Sequence, residues 1–138
     1  MTPPSAAQVF SPTIHAAVVR YQVRDVDRSV RFYTGHLGFQ LTQRSGPVIA
    51  IVSRGDLHLL LSGTDSSGAR PMPDGRQQAP GGWNRIVLYV DSIDSTIAAL
   101  KGAGVNFRNA IEVGPGGKQV LVEDPDQNPV ELHEAPEN

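Results

Sequence analysis

Val23-Arg24-Asp25-Val26-Asp27-Arg28-Ser29-Val30 recurs, 67 residues further on, as Val90-Asp91-Ser92-Ile93-Asp94-Ser95-Thr96-Ile97. A repeat close to half the chain length marks two copies of one supersecondary unit. In each copy an apolar strand leads through an Asp/Ser cap signal into an amphipathic helix, which stops at a glycine, Gly38 after Leu37 and Gly104 after Ala103. Units this short do not each bury a core, so the two are expected to share one and to hold any ligand between or within them.

Around that repeat, Ala16 to Val23 is rich in β-branched valine and reads as a strand. Asp25 or Asp27 then supplies a capping oxygen, and Asp27 and its counterpart Asp94 read as caps, not catalytic acids. Val30, Tyr33 and Leu37 form a helical stripe toward the sheet, leaving Arg28 and Arg31 to solvent. Phe39 to Gln43 reads as a strand, and Val48 to Ser53 with Leu57 to Ser62 as a hairpin turned at Arg54-Gly55-Asp56. The unit is therefore β-α-β-β-β. In the second copy Ile86 to Val90 is the first strand, Ile93, Ile97 and Leu100 are the helical stripe, and Lys118 to Glu123 pairs with Pro129 to Glu134 across Asp124-Pro125-Asp126-Gln127-Asn128. The organisation expected is a flexible arm over 1–13, a first module over 14–62, a linker over 63–82, a second module over 83–134 and a tail over 135–138. The linker is turn-rich, and its length also suits a cover over a pocket.

The chain has 138 residues and no cysteine, which excludes disulfides, thiolate metal sites and thiol nucleophiles. Its formal net charge of −2 gives no reason to expect nucleic acid or an acidic membrane as partner. The apolar runs are too short to span a bilayer and the first residues lack a basic-then-apolar leader, so cytoplasmic residence is the default expectation. There is no Walker loop, dinucleotide fingerprint, His-Glu-x-x-His run or nucleophile elbow, and Gly114-Pro115-Gly116-Gly117 is a loop signal only.

Several pieces taken together resemble the vicinal oxygen chelate superfamily, which holds glyoxalase I, extradiol dioxygenases, fosfomycin resistance enzymes and bleomycin-binding proteins. These are Val23 to Ser29 followed by Phe32-Tyr33, Leu37-Gly38-Phe39, Gly81-Gly82-Trp83-Asn84 before a strand, and Glu123-Asp124-Pro125-Asp126 leading into Val130-Glu131-Leu132. The resemblance implies an α+β fold of two tandem βαβββ modules whose mixed sheets curl into half-barrels, generally closed by dimerisation, with a small molecule or divalent metal in the concavity. In the family's metalloenzymes four positions face that concavity, and carried onto this chain they are Val18, Leu60, Arg85 and Glu131. Only Glu131 is a donor for a hard or borderline ion, and Arg85 repels a cation and pairs with Glu131 instead. No metal and no cofactor are therefore expected.

Alternation along a strand extends each inward position to residues two away. The lining so derived includes Arg20 and Gln22 from Val18, His58 and Ser62 from Leu60, Val87 and Tyr89 from Arg85, and Pro129 and His133 from Glu131. Arg20 has no acid assigned to its face, which makes it the stronger ligand-binding candidate. Arg85 either bridges to Glu131 or binds an anion, and the two roles are compatible. His58 sits among leucines, as a half-buried histidine with a backbone partner or as a general base; Glu131 is the other candidate catalytic group. A Glu131–His133 pair joined by His58 is the remaining route to a metal. Trp83 packs in the core or a dimer, or stacks on a flat ligand with Tyr89 as a second wall. His15 and His36 read as surface residues. The function expected is binding of a small anionic or aromatic molecule in a largely metal-free cavity of a homodimer. The alternatives are a metal-dependent lyase or dioxygenase, a metal-independent isomerase using His58 or Glu131, and a structural partner protein.

Overall fold

The computed structural model describes residues 10–137. The arm expected over 1–13 thus lies, for residues 1–9, outside the described residues, as does residue 138 of the tail. The first module runs β1 (Val19–Gln22), α1 (Val26–His36), β2 (Gln40–Ser45), β3 (Ile49–Arg54) and β4 (Leu57–Ser62). Its sheet has the order β1-β4-β3-β2, with β1 parallel to β4 and the other pairs antiparallel. The second runs β5 (Ile86–Tyr89), α2 (Ile93–Gly102), β6 (Asn106–Phe107), β7 (Glu112–Gly114), β8 (Gly117–Glu123) and β9 (Pro129–Glu134). Its order is β5-β9-β8-β6, with β5 parallel to β9 and β7 also laid on β8. This is the expected α+β architecture of two βαβββ modules. The sheets are separate and open, without the strong curl expected of half-barrels.

Local chemistry explains the element boundaries. The N-caps are Asp25, whose carboxylate accepts from Arg28 N, and Ser92, whose hydroxyl accepts from Ser95 N. Asp27 and Asp94 are therefore not the caps; they sit in the first turn, where a carboxylate suits the helix dipole, and Asp27 pairs with Arg44. Both helices end where Gly38 (φ 73°) and Gly104 (φ 81°) take the left-handed conformation that closes a helix without a Cβ penalty. The strand expected as one piece after α2 is divided into β6 and β7, since residues between them leave the ladder and Asn109 Oδ1 accepts from Leu121 N in place of a strand carbonyl.

Helix α1 buries Val26, Ser29, Phe32 and Tyr33 on its sheet, with Tyr33 edge-on to both Phe32 and Phe39. The same cluster continues through Ile86, Ile93, Leu100, Val120, Val122, Val130 and Leu132, so the two modules share one core. Each such side chain contributes about 1.5–3 kcal/mol by leaving water.

Polar bonds pin the seam between the modules. Tyr21 Oη donates to the Pro129 carbonyl (2.8 Å) and accepts from Ile86 N (2.9 Å), and burial pushes its pKa up to about 12, so it stays a neutral clamp. Asp126, fully buried, takes Arg24 and Arg28, which corrects the expectation that Arg28 is merely solvated. Asp124 accepts from Tyr33 Oη, from Asn128 Nδ2 and from the backbone N–H groups of Asp126 and Asn128. Burial raises its pKa, and these donors oppose that rise.

Candidate functional site

Strand alternation sets the polar face. Arg20 and Gln22 lie on one side of β1, Tyr21 and Val23 on the other in the core. Arg20 Nη1 donates to Ser62 Oγ at 3.1 Å, which places Ser62 of β4 on the same face as Arg20. No carboxylate among the described residues pairs with Arg20. Arg85, just before β5, donates through Nε (3.0 Å) and Nη2 (2.8 Å) to Oε1 of Glu131 in β9, and through Nη1 to the Trp83 carbonyl. Arginine's side-on edge is thereby used, while two of its five N–H groups remain.

Glu131 Oε2 meets His133 Nδ1 at 2.9 Å, and His133 Nε2 meets the Gly116 carbonyl at 2.8 Å. Two acceptors, one at each ring nitrogen, favour the imidazolium. The Glu131 bond first and the Gly116 carbonyl second raise the His133 pKa. Burial alone raises that of Glu131, yet the bonds from His133 and Arg85 outweigh it and the carboxyl falls below its usual value. Glu131 is thus an ionised acid held between two cations.

A cavity of about 520 Å³ opens at the seam, lined by Arg20, Gln22, Asn84 and Arg85 among its polar residues and by Val19, Leu57 and Val87 among its apolar ones. Ala79 and Gly81 add a wall from the 63–82 segment. That segment carries a short 3₁₀ turn at Ser67–Ala69 and is tied down by Gln22 Nε2 to the Gly68 carbonyl (2.9 Å), Ser62 Oγ to Ser66 Oγ (2.6 Å) and Gly81 N to Asn128 Oδ1 (2.7 Å).

The structure brings Arg20, Gln22 and Arg85 together in this cavity, and Glu131 acts on it through Arg85. His133 lines a smaller neighbouring hollow with Glu112, Gly116 and Gln119. Tyr89 is 72% exposed with its ring 5.0 Å from that of His133. Trp83 is 71% exposed and lies under the Arg108 guanidinium, so it is not a core residue. His58 is exposed on the polar face of β4 and bonds through Nδ1 to Ser53 Oγ at 2.6 Å, so its partner is a side chain and not the backbone expected. Asn128 and Tyr21 also line the cavity, and strand alternation did not find them because Asn128 sits in a turn and Tyr21 points to the core face.

A family model, the Glyoxalase/Bleomycin resistance protein/Dioxygenase superfamily, matches residues 14–132. The chain belongs to this superfamily. A superfamily member from Sphaerobacter thermophilus DSM 20745 is 27% identical and superposes with a TM-score of 0.67, covering 87% of this chain and 98% of that one. TnmS3, an antibiotic binding protein from Streptomyces sp. CB03234, is 24% identical with a TM-score of 0.69 over 92% of this chain and 100% of its own. Lactoylglutathione lyase from Agrobacterium tumefaciens is 19% identical with a TM-score of 0.69, over 90% and 95%. No curated protein matches the chain.

Metal sites known in this superfamily give a test of the donor set. A hard or borderline ion needs about three convergent His, Asp or Glu donors with an open position. The four positions onto which the resemblance carries the ligands are Val18, Leu60, Arg85 and Glu131, and of these only Glu131 is a donor, with its oxygens already bonded to Arg85 and His133. Among the described residues no three His, Asp or Glu side chains converge to hold an ion. His58 does not join Glu131 and His133 in such a group. The residues present do not fit a metal of the superfamily's kind.

Proposed function

We propose that this superfamily member binds a small anionic or aromatic molecule in the seam cavity without a metal ion. The observation that carries the reading is Arg85 seated on Glu131: a guanidinium occupies a corner where a metalloenzyme needs a donor, and it turns that corner from cation-binding to anion-binding. Arg20, unpaired with any described carboxylate, adds a second cation to the same cavity. A volume of about 520 Å³ suits a small organic ligand. That TnmS3 is described as an antibiotic binding protein supports binding as a role compatible with this scaffold.

The test is a thermal-shift screen of small acids and flat aromatics, run with and without a chelator. The reading expects at least one compound to raise the melting temperature equally in both conditions. A screen in which every response vanishes with chelator contradicts it. A homodimer is part of this reading, with exposed Val18, Trp83, Val87 and Tyr89 as apolar surface for a second copy. Trp83 is the sole tryptophan, so its emission should shift to the blue as concentration rises through dimerisation, and a spectrum unchanged while sedimentation reports a monomer removes the dimer from the account.

One observation favours a second reading, metal-independent proton transfer. Thr42 Oγ1 lies 3.2 Å from the Ile51 carbonyl and 3.0 Å from Ser53 Oγ, which lies 2.6 Å from His58 Nδ1; with Thr42 donating to Ile51, Ser53 donates to Thr42 and accepts from His58 Nδ1–H. That order leaves His58 Nε2 with its lone pair outward, the form of imidazole that acts as a base.

A further inference from the structure

We propose that the seam cavity selects small organic acids that carry a hydrogen-bond donor close to the carboxylate, of which hydroxy acids are the simplest class. Arg20 and Arg85 receive the carboxylate and Gln22 Oε1 receives the donor. The proposal rests on the small-molecule reading above and assigns its chemistry.

Among the described residues, Gln22 Oε1 is the one buried side-chain polar atom without a hydrogen-bond partner. The amide cannot be turned to relieve it, because Nε2 faces the Gly68 carbonyl at 2.9 Å and exchanging the two atoms would set oxygen against oxygen. Nε2 is engaged a second time by Gln78 Oε1 at 3.2 Å, so the side chain is held from two points. A buried acceptor left unmade costs about 1–3 kcal/mol, and an O–H or N–H brought by a ligand recovers it.

The cations are held as firmly. The Arg20 guanidinium bonds to Ser62 Oγ, itself bonded to Ser66, and lies so close over Gly68 that a Cβ there would stand 1.4 Å from Nη1. Glycine at 68 is what lets the guanidinium rest on the backbone. Arg85 is anchored by Glu131 along one edge with two N–H groups left over. The acceptor and the Arg20 cation belong to residues two apart on one strand face, a span of about 7 Å at the backbone, and both side chains meet Gly68, one at its carbonyl and the other where its Cβ would stand. Val19, Leu57 and Val87 offer apolar surface to the rest of it.

The experiment compares 3-phenyllactate, 3-phenylpropionate and methyl 3-phenyllactate by calorimetry on the full chain. The second lacks the hydroxyl, and the third replaces the carboxylate with a neutral methyl ester. The proposal expects 3-phenyllactate to bind about tenfold tighter than either of the others, the factor for one hydrogen bond to a buried or charged group. In Gln22→Met the hydroxyl preference should disappear and the acid-over-ester preference remain, and in Arg20→Gln the acid-over-ester preference should shrink, Arg85 still being present, while the hydroxyl preference remains. Melting curves report whether each variant is folded, and the wild-type comparison needs no variant. An ester that binds as tightly as the acid, or a hydroxyl preference that survives Gln22→Met, overturns the proposal while leaving the small-molecule reading intact. Absence of binding by all three also overturns it, and the broader thermal-shift screen decides separately whether the parent reading falls.

Discussion

At the scale of single residues, two histidines do opposite things. The proton-transfer reading has the Thr42–Ser53 chain hold His58 in the Nδ1–H tautomer, so nitrogen-detected NMR should find Nε2 unprotonated in the neutral form, and Ser53→Ala should mix the tautomers. An Nε2–H tautomer in the wild type removes the proton-transfer reading. His133 is instead held as a cation by Glu131 and Gly116. Its pKa is raised above the ordinary 6.5, so its contribution to stability is complete below that value and is lost as pH rises through the folded pKa. Glu131 is lowered from 4.5, so its contribution is present above that value and is lost only as pH falls through the depressed one. The melting-temperature gap between wild type and His133→Gln should therefore be widest between these two ordinary values and close on the alkaline side; a gap that widens with pH contradicts the assignment. The family resemblance implied that Arg85 meets Glu131, and alternation extended from it left Arg20 without an acid on its face. Neither predicted Ser53 for His58, because that pair depends on cross-strand register, in which Ser53 lies opposite His58.

At the scale of elements, the β8–β9 hairpin supplies Glu131, which anchors Arg85, and is set by its two ends. Gly117, at the start of β8, has φ 116°, and a Cβ there would stand 2.1 Å from the Glu134 carbonyl oxygen. Backbone is the obstacle, so nothing flexible can give way. Gly117→Ala should cost about 2 kcal/mol or more and release His133 from Gly116, measured by urea unfolding with Gly116→Ala, which meets open space, as control. Equal stability of the two variants refutes this account of the hairpin. The helices, the first hairpin and β9 were legible in the sequence because their periodicity and turn residues agree. The division of β6 from β7 was not, since Asn109 replaces a strand partner through its side chain. The sequence leaves Asp25 and Asp27 both open as the first cap and points to Asp94 for the second, because Asp25 and Asp27, like Ser92 and Asp94, present the same chemistry at neighbouring positions; the structure selects Asp25 and Ser92.

For the whole molecule, the repeat foretold two modules around one core, and the structure adds what joins them: Tyr21 across the seam, and the 124–128 turn taking Tyr33, Arg24 and Arg28. The cavity lies at this seam, where Arg20 comes from one module and Arg85 from the other. The length of residues 63–82 suits a cover over a pocket, but composition reports only turns there and not the Gly68 and Ser66 bonds that hold them. The central claim is that Arg85 has replaced a metal donor and left Glu131 committed to protein cations. Elemental analysis after equilibration with nickel, zinc, manganese and iron, followed by desalting, tests it most directly. The account predicts metal far below one ion per chain for all four, and one tightly retained ion per chain would contradict it.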